Sequence, residues 1–314
     1  MSANVSRVLR SNLKLRHLQL LVALDQFRHL GKAANFLLLS QPAVSKILAE
    51  IERMFGVTLF LRSTRGTEPT PHGEAVIRFA RSVLVDYERT QDELAAVSSG
   101  AAGHTSVGAM VVATPVLLAR AIARLKQRSS RTRVLVEEGD LTRLLPRLRT
   151  GELDLFVGRL EPGYASPELE TEALYEEPMC IAAPAGHPLT RRTKLSWSDL
   201  ATEPWVFPPP WASSRVKLNQ MFYKHRLSPP ADLIETASFL MTLTFMQQRS
   251  ALGFLARTVA QHYERQGLLK TLPIKVPIEL PAVGIITIRG RKPAPASEQL
   301  IECLRQVAKL AWAS

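Results

Sequence analysis

Cysteine is almost absent from the 314-residue sequence: only Cys180 and Cys303 occur, far apart along the chain. This number does not suggest a disulfide framework, and it fits a reducing, cytoplasmic location. We interpret both residues as structural thiols, with catalysis as the alternative. Long apolar runs are also lacking, and without a run of about 18 such residues we predict no membrane span. The basic N-terminus has no apolar core of a secretory signal.

Recognisable catalytic motifs are missing as well. The sequence has no Gly-x-Gly-x-x-Gly, no phosphate-binding loop, no Gly-x-Ser-x-Gly and no His-Glu-x-x-His. Its seven histidines are scattered without the spacing of metal ligands. We therefore predict that the chain is not an enzyme and uses no cofactor or metal. An enzyme built on the C-terminal half is the alternative.

Positive charge is what the sequence has in excess. The net charge is +12, the pI is about 10.1, and residues 1–90 carry 13 Lys and Arg against 7 Asp and Glu. Such a balance favours a polyanionic partner, either nucleic acid or a membrane surface. With 46% hydrophobic and 22% charged residues, the composition is globular, and the length predicts two or three structural units.

Residues 13–56 carry the pattern of three helices. Apolar positions recur at helical spacing from Leu13 to Phe27, His29-Leu30-Gly31 interrupts them, and a short amphipathic stretch runs from Lys32 to Leu38. Ser40, followed two residues later by a proline, is a helix start, and Gly56 is a plausible C-cap. This order predicts a helix-turn-helix over residues 30–49.

The second helix of this motif would be the recognition helix, whose first turns face base edges in the major groove. Gln41, Ser45 and Lys46 are the polar side chains there. Glutamine can bond adenine with two hydrogen bonds, while serine and lysine reach base edges or phosphates. The alternative is that these residues are only the solvated face of an exposed helix.

A β-wing is predicted directly after the recognition helix. Residues 57–61 alternate as a short strand, residues 62–66 form a polar, basic turn, and residues 67–70 can return as a second strand. Arg62 and Arg65 of this wing suit phosphates or a minor groove, where negative potential favours arginine.

A long helix is predicted from Pro71 to about Val97, and about 25 residues of helix span roughly 37 Å. Its apolar stripe needs a cover. Antiparallel pairing with a second protomer would give a two-fold dimer that matches an operator of two half-sites. In the alternative, the stripe packs on the chain's own C-terminal domain. The stripe consists of Ala75, Val76, Phe79, Val83, Leu84 and Leu94.

One set of motifs recurs in a known family: Ala33-Ala34, Ser40-Gln41-Pro42-Ala43-Val44-Ser45-Lys46, Glu50-Ile51-Glu52, Phe55-Gly56-Val57-Thr58-Leu59-Phe60, Arg62, Arg65-Gly66 and Pro69-Thr70-Pro71-His72-Gly73. With these motifs, residues 13–100 resemble the DNA-binding domain of LysR-type transcriptional regulators. Lys14 to Leu18 and the turn at residues 70–73 look like the branch of galactose-binding-protein regulators and protocatechuate-pathway regulators. The resemblance implies that Gln41, Pro42, Ser45, Lys46 and Arg65 contact DNA.

Residues 98–103 form a small-residue break, beyond which strands and helices alternate. Strands are predicted at residues 105–113, 134–137 and 153–158, and helices at residues 115–125 and 141–148, which indicates a parallel α/β sheet. A second set follows at residues 172–266, and a strand at residues 284–289 and a helix at residues 297–312 close the chain.

The family resemblance, which Gly151-Glu152-Leu153-Asp154-Leu155 extends, also implies a fold for the whole chain. Residues 13–70 would form an N-terminal all-α winged helix-turn-helix, and residues 71–99 a linker helix. Residues 105–314 would form a C-terminal α/β effector-binding domain like a periplasmic binding protein. This domain would have a cleft between two subdomains, subdomain I at about 105–160 and 268–314, and subdomain II at about 161–267.

Ligands of open α/β sheets bind beyond the carboxyl ends of strands, often at helix N-termini. Asp140 at such a corner disfavours an anionic effector and suits a hydroxyl-rich or cationic one, and Trp211 offers a ring for stacking. The alternatives are that Phe207 and Phe254 belong to the core and that Asp140 is only an N-cap. Our effector-site candidates are Thr114, Asp140, Phe207, Trp211, Ser238 and Phe254.

The sequence thus predicts a sequence-specific, DNA-binding transcriptional regulator whose activity a small molecule modulates. Its predicted partners are a double-stranded DNA operator, the effector and a second copy of the chain in a homodimer that extends to a homotetramer. RNA polymerase is a further partner if the regulator is an activator, and no membrane partner is expected. Activator and repressor roles are both open. A DNA-organising protein without an effector is the alternative class.

Overall fold

The computed structural model describes residues 8–63, 66–99 and 103–312. The chain divides into two compact units. The first comprises residues 1–103 and 145–153, and the second comprises residues 104–144 and 154–314. We describe the elements of each unit in turn, because each unit carries a different candidate site.

The first unit begins with a π-helical turn, Val8–Asn12, and continues with helices and a short hairpin. Its elements are α1 (Leu15–Phe27), α2 (Leu30–Phe36), α3 (Gln41–Phe55), the antiparallel strands β1 (Phe60–Ser63) and β2 (Gly66–Pro69), and the long helix α4 (Pro71–Ser99). This order confirms the predicted winged helix-turn-helix followed by a linker helix.

Local residue chemistry sets the ends of α3. The Ser40 hydroxyl accepts a hydrogen bond from the Ala43 amide at 3.4 Å, and Pro42 lies in the first turn, where no intrahelical N–H is needed. Gly56 ends the helix in the left-handed region, at φ 69°. Both predicted ends of the recognition helix are therefore confirmed.

Gly73 shows how closely α4 approaches the residue that precedes the first strand of the wing. A Cβ atom at Gly73 would lie 2.0 Å from the Leu59 carbonyl oxygen. Only glycine fits there. The core of this unit is formed by α1, α2, α3 and the start of α4, and its buried residues include Leu21, Leu24, Ala33, Ala34, Val44, Leu48, Ile51, Leu59, Ile77 and Ala80.

The second unit contains two five-stranded sheets. The first sheet consists of β3 (His104–Ala109), β4 (Arg133–Glu138), β5 (Leu155–Arg159), β6 (Leu169–Tyr175) and β12 (Val283–Ile288). The second consists of β7 (Met179–Pro184), β8 (Trp205–Phe207), β9 (Leu233–Glu235), β10 (Leu252–Ala256) and β11 (Leu269–Thr271). The remaining α-helices are α5 (Ala119–Arg128), α6 (Leu141–Thr150), α7 (Trp197–Ala201), α8 (Ser213–Lys224), α9 (Phe239–Arg249), α10 (Arg257–Glu264) and α11 (Pro295–Trp312). Of these, α6 crosses the division between the units, since its residues from 145 onward belong to the first.

The strand order is β4-β3-β5-β12-β6 in the first sheet and β11-β7-β10-β8-β9 in the second. Strands β3, β4 and β5 are parallel, as predicted, whereas β12 runs antiparallel to β5 and β6. Both sheets are therefore mixed. The architecture confirms an α/β domain with two sheet-centred halves, in which the antiparallel strand β12 joins the three parallel strands of the first sheet.

Two predicted subdomain boundaries differ from the sheets that the strands join. Strand β6 was predicted in subdomain II but lies in the first sheet beside β12. Strand β11 was predicted in subdomain I but lies in the second sheet beside β7. The chain crosses between the sheets at residues 176–178 and 272–282. The strand predicted at residues 105–113 ends at Ala109, and residues 111–113 form a turn before a π-helical turn, Thr114–Leu118, that leads into α5.

The two cysteines are buried in separate places, Cys180 in β7 and Cys303 in α11. Burial raises the pKa of Cys180 to about 12, so its thiol stays protonated near neutral pH. This environment suits a structural thiol. No helix within residues 8–63, 66–99 and 103–312 has the length and apolar character to cross a membrane.

Candidate DNA interface and effector cleft

The N-terminal turns of α3 present polar side chains to solvent. Gln41, Pro42 and Lys46 are exposed and Ser45 is half-buried, while Val44, one residue away, is fully buried. A helix that buries one face and exposes its N-terminal polar residues has the form of a recognition helix. The structure therefore places the four predicted recognition-helix contacts on one accessible surface.

A hydrogen bond joins this surface to the wing. Nη1 of Arg62 in β1 donates to the Ser45 hydroxyl of α3 at 2.8 Å. Arg62 is exposed, so its guanidinium lies at the surface beside the recognition helix. Two residues that the sequence predicts as DNA contacts are thus in contact with each other. Arg65, the other predicted wing contact, lies outside the described residues.

The carboxylate of Glu52, near the end of α3, holds the start of the wing. Oε1 of Glu52 accepts hydrogen bonds from the Leu59 amide at 2.8 Å and the Phe60 amide at 3.1 Å. Hydrogen bonds to a charged acceptor are stronger than neutral ones. The first strand of the wing is therefore attached to the recognition helix at both Glu52 and Ser45.

The second strand of the wing is attached to the end of α1. The Thr67 amide donates to the Arg28 carbonyl oxygen at 2.8 Å, and Nη1 of Arg28 lies 2.6 Å from Oε2 of Glu68. Nη2 of Arg28 also pairs with the Asp25 carboxylate at 2.8 Å, and that carboxylate accepts from Arg81 of α4 at 2.7 Å. Charges of alternating sign thus connect α4, α1 and β2.

Helix α4 has a buried and an exposed apolar face. Ile77 and Ala80 are buried in the core that contains α1. Phe79, Tyr87 and Leu94 are 38%, 43% and 64% exposed. The predicted stripe is thus divided: Val76, Val83 and Leu84 are half-buried against this core, whereas Ala75, Phe79 and Leu94 are exposed.

Asp140 and Trp211 lie near each other, although they follow strands of different sheets in the second unit. Asp140 follows β4 and caps α6: its carboxylate accepts hydrogen bonds from the Arg143 amide at 3.1 Å and from the Thr142 hydroxyl, and the Trp211 side chain lies close enough to help lower its pKa. Burial opposes ionisation, but these hydrogen bonds hold the pKa of Asp140 below its ordinary value. Trp211, between β8 and α8, is 70% exposed.

A hydrogen bond joins segments that follow the two sheets nearby. The Ser213 hydroxyl, at the start of α8, donates to Oε1 of Glu161 beyond β5 at 2.7 Å. We call Asp140, Glu161, Trp211 and Ser213 together the inter-sheet contact. Asp140 and Glu161 follow the carboxyl ends of strands, and Asp140 and Ser213 lie at helix N-termini, the places where ligands of open sheets bind.

The other effector-site candidates divide into two groups. Thr114 donates to the Met110 carbonyl at 3.1 Å, and the Ser238 hydroxyl caps α9 by accepting from the Met241 amide at 3.2 Å. Phe207 and Phe254 are 1% and 4% exposed and belong to one hydrophobic core. This burial favours the packing alternative for both phenylalanines. For Asp140, the hydrogen bond from the Arg143 amide supports the N-cap role.

Arg215 of α8 is a charged residue near this core that the sequence did not single out. Its guanidinium carbon lies 4.7 Å from the centre of the Phe207 ring, and its Nη1 pairs with the Glu235 carboxylate at the end of β9. This ion pair neutralises the positive charge of Arg215 within the second sheet.

Arg159, at the end of β5, holds both crossover segments. It is 4% exposed, and its guanidinium donates to the Pro281 carbonyl at 2.9 Å and the Glu177 carbonyl at 3.1 Å. Burial lowers the pKa of this arginine, which nearby Glu177 raises. The Glu177 carboxylate in turn accepts from the amide and hydroxyl of Thr258. Both connections between the sheets thus converge on one side chain.

Sequence reasoning missed Arg28, Glu161, Ser213 and Arg215. The one local signal was at Arg28, since an arginine between two helical patterns stands where a helix end needs a left-handed residue. Among the described residues, no group of three His, Cys, Asp or Glu could hold a metal ion.

A winged helix-turn-helix in one unit and a two-sheet α/β sensor in the other define a DNA-binding transcriptional regulator with an effector-binding domain. Residues 15–74 match the bacterial regulatory helix-turn-helix protein, lysR family, and residues 98–309 match the LysR substrate binding domain. The chain belongs to the LysR family of transcriptional regulators, as its sequence motifs predicted.

Curated relatives agree with this assignment. The HTH-type transcriptional regulator GbpR of Azospirillum brasilense is 32% identical over 95% of this chain and 87% of its own length. The regulator GalR of Pseudomonas putida is 30% identical over 93% of this chain and 73% of its own length. PcaQ of Agrobacterium fabrum is 26% identical over 94% and 95% of the two chains. These relatives are transcriptional regulators, not enzymes.

Solved structures share the fold at lower identity. The family regulator CbnR superposes with a TM-score of 0.71 at 19% identity, covering 95% of this chain and 100% of that one. Full-length OxyR of Pseudomonas aeruginosa gives a TM-score of 0.65 at 24% identity, covering 97% of both chains. The similarity extends over both units.

Proposed function

We propose that the protein binds an operator of two half-sites as a homodimer and that a hydroxyl-rich or cationic small molecule modulates this binding. Gln41, Pro42, Ser45 and Lys46 contact the major groove, and the wing residues Arg62 and Arg65 contact phosphates or the minor groove. The cytoplasm is the proposed location. Dimers assemble further into a homotetramer, and RNA polymerase is a partner if the regulator is an activator.

The exposed N-terminal surface of α3 is the observation that carries the DNA-binding roles. Gln41 and Lys46 are exposed on it, and the Arg62–Ser45 hydrogen bond holds a cation beside it. Glutamine at such a position can read an adenine with two hydrogen bonds, while lysine supplies a point charge for a phosphate or a guanine.

Selection of bound sites from random DNA, followed by anisotropy titrations, tests these roles. Gln41→Ala should reduce the ratio of specific to non-specific affinity by about 1–3 kcal/mol. Gln26→Ala is the matched control, because Gln26 is an exposed glutamine on α1. An unchanged ratio for Gln41→Ala would remove Gln41 from the recognition surface.

The exposed apolar positions of α4 support the dimer. Tyr87 and Leu94 project from the part of α4 that follows the buried Ile77 and Ala80, and such a face is covered at low cost by a symmetric copy. Light scattering should give at least twice the chain mass of 34.9 kDa. Leu94→Glu should shift the protein toward monomer, whereas a mass unaffected by Leu94→Glu would exclude this face.

The charge of the inter-sheet contact supports the class of effector. Asp140 keeps its carboxylate ionised because its pKa is lowered, and Glu161 contributes a second carboxylate. Two carboxylates disfavour an anion and suit hydroxyl or ammonium donors. The exposed Trp211 ring beside them can stack on a sugar or aromatic ring.

Calorimetric titration against sugars, amines, aromatic acids and dicarboxylates tests the effector class. We expect binding by a sugar or an amine that Asp140→Asn and Trp211→Ala weaken. Binding of dicarboxylates alone would contradict the proposed chemistry. A DNA affinity that responds to no metabolite would instead favour a DNA-organising protein without an effector.

A further inference from the structure

We propose that Arg28 is a positioning residue for DNA binding: it holds the wing against the body of the helix-turn-helix and does not itself contact DNA. This inference rests on the proposed function, in which the wing residue Arg62 contacts DNA. It adds a set of residues on α1, α4 and β2 on which the placement of the wing depends.

The backbone of Arg28 gives the first argument. Arg28 has φ 49°, in the left-handed region that favours glycine. Its amide donates to the Leu24 carbonyl and closes α1, while its carbonyl accepts from the Thr67 amide of the wing. A bulky residue persists in this conformation only where its surroundings determine it. At Arg28 these surroundings are the end of α1, which its amide closes, and the wing, which bonds its carbonyl.

The tip of the wing is correspondingly close. A Cβ atom at Gly66 would lie 2.6 Å from the Arg28 carbonyl oxygen, and Gly66 has φ 141°. The glycine allows β2 to approach the end of α1 closely enough for the Thr67–Arg28 hydrogen bond. The two unusual backbone conformations thus face each other and form one joint.

The side chain of Arg28 gives the second argument. Its Nε donates to the Asp25 carbonyl at 2.7 Å, its Nη2 pairs with the Asp25 carboxylate at 2.8 Å, and its Nη1 pairs with Glu68 at 2.6 Å. A guanidinium presents its donors in a rigid fork. With one edge on α1 and the other on β2, this fork fixes the distance between helix and wing.

The third argument is the continuation of this ion chain into α4. The Asp25 carboxylate, 17% exposed, also accepts from Nη2 of Arg81 at 2.7 Å. Arg81 lies on α4 next to the buried Ala80. The part of α4 that packs on α1 therefore also carries the ion pair with Asp25. The wing is therefore positioned relative to α4, the helix through which the proposed dimer forms.

The exposure of the Arg28–Glu68 pair makes the inference testable without unfolding the protein. Arg28 is 44% exposed and Glu68 is 67% exposed. Such pairs contribute little to global stability because solvent screens them and ordering costs entropy. Breaking this pair should therefore move the wing while leaving the core of α1, α2 and α3 intact.

Glu68→Gln is the decisive variant. It raises the net charge by one unit, so general attraction to DNA alone would strengthen binding. The positioning role predicts the opposite, a loss of about fivefold in affinity for the selected operator, corresponding to one exposed ion pair. Anisotropy titrations over a salt series and thermal melts of the full chain measure both the affinity and the integrity of the fold.

Arg28→Gly separates a positioning residue from a phosphate ligand. Glycine adopts the left-handed region without steric cost, so the change removes the guanidinium without straining the backbone. We expect weaker operator binding with an unchanged slope of log affinity against log salt, whereas Arg62→Ala should shallow that slope by about one phosphate contact. Arg226→Gly is the matched control, since Arg226 is an exposed arginine with φ 59° in the second unit.

The double variant Arg28→Gly with Glu68→Gln should bind no more weakly than the worse single variant, because both changes break one link. Equal or tighter binding by Glu68→Gln would overturn the positioning role while leaving the proposed DNA contacts intact. A salt slope shallowed by Arg28→Gly would make Arg28 a phosphate ligand and also overturn it. If Arg62→Ala leaves DNA binding unchanged, the proposed function of the wing fails first.

Discussion

If the proposed DNA contacts hold, the hydrogen bond between Arg62 and Ser45 makes recognition by the helix and by the wing interdependent. We predict that Ser45→Ala and Arg62→Ala have non-additive effects on operator affinity. In the free protein, the Ser45 hydroxyl accepts from Arg62 at 2.8 Å, and it still has a proton to donate to a base. Ser45→Ala therefore removes a base contact and the anchor of the neighbouring guanidinium.

The magnitude follows from these two losses. A base contact is worth about 1–3 kcal/mol, and an exposed hydrogen bond of this type about 1 kcal/mol. Ser45→Ala should thus cost about 2–4 kcal/mol in specific binding, of which about 1 kcal/mol is shared with Arg62→Ala. The double variant should then bind about fivefold more tightly than the sum of the single effects requires.

Anisotropy titrations of the wild type, both single variants and the double variant complete the cycle. Each protein is titrated on the selected operator and on a scrambled duplex over a salt series, because affinities are comparable only at stated salt. Ser63→Ala serves as a control for the loss of a wing hydroxyl. Additive effects within about 0.5 kcal/mol would refute the reasoning, since the two side chains would then act independently on DNA.

Three further predictions concern the stability of the first unit. Amide hydrogen exchange in α1, α2 and α3 would measure its free energy of unfolding. Leu38 has φ 55° and is 92% exposed, so Leu38→Asn should raise the free energy of unfolding by about 1 kcal/mol. Gly73→Ala should cost about 3 kcal/mol because its Cβ would meet the Leu59 carbonyl, while Gly186→Ala, where no atom lies within 4 Å, should have little effect. Burial lowers the pKa of His17 below 6.5, so stability should be complete above pH 6.5 and decrease as pH falls below it, and His17→Gln should flatten this dependence.

The helix-turn-helix could be predicted from the sequence because its signals are local. Ser40, Pro42 and Gly56 mark the ends of α3 within a few residues of the atoms that they satisfy. Asp140 was likewise recognisable at a helix start. The same local reasoning explains the error at residues 110–113, because four consecutive apolar residues there fit a continued strand although they follow its end and form a turn.

Long-range pairings gave no such signal. The Arg28–Glu68 pair spans 40 residues and the Arg81–Asp25 pair 56 residues, and nothing in the charge pattern selects these partners from many others. Periodicity predicts that β6 is a strand but not which sheet it joins. For Phe207, an aromatic residue at a strand end fits both core and cleft, and only the fold resolves which it is.

The two crossovers held by Arg159 have a mechanical consequence. They join the β6 and β12 side of the first sheet to the β7 and β11 side of the second, so a rotation of one sheet relative to the other has its axis near them. Displacement then grows with distance from that axis, and β4 and β9 at the far edges travel furthest. Asp140 follows β4, and Trp211 leaves from β8, next to β9. A small ligand bound between these two residues would therefore act where a given rotation of the sheets produces the largest displacement.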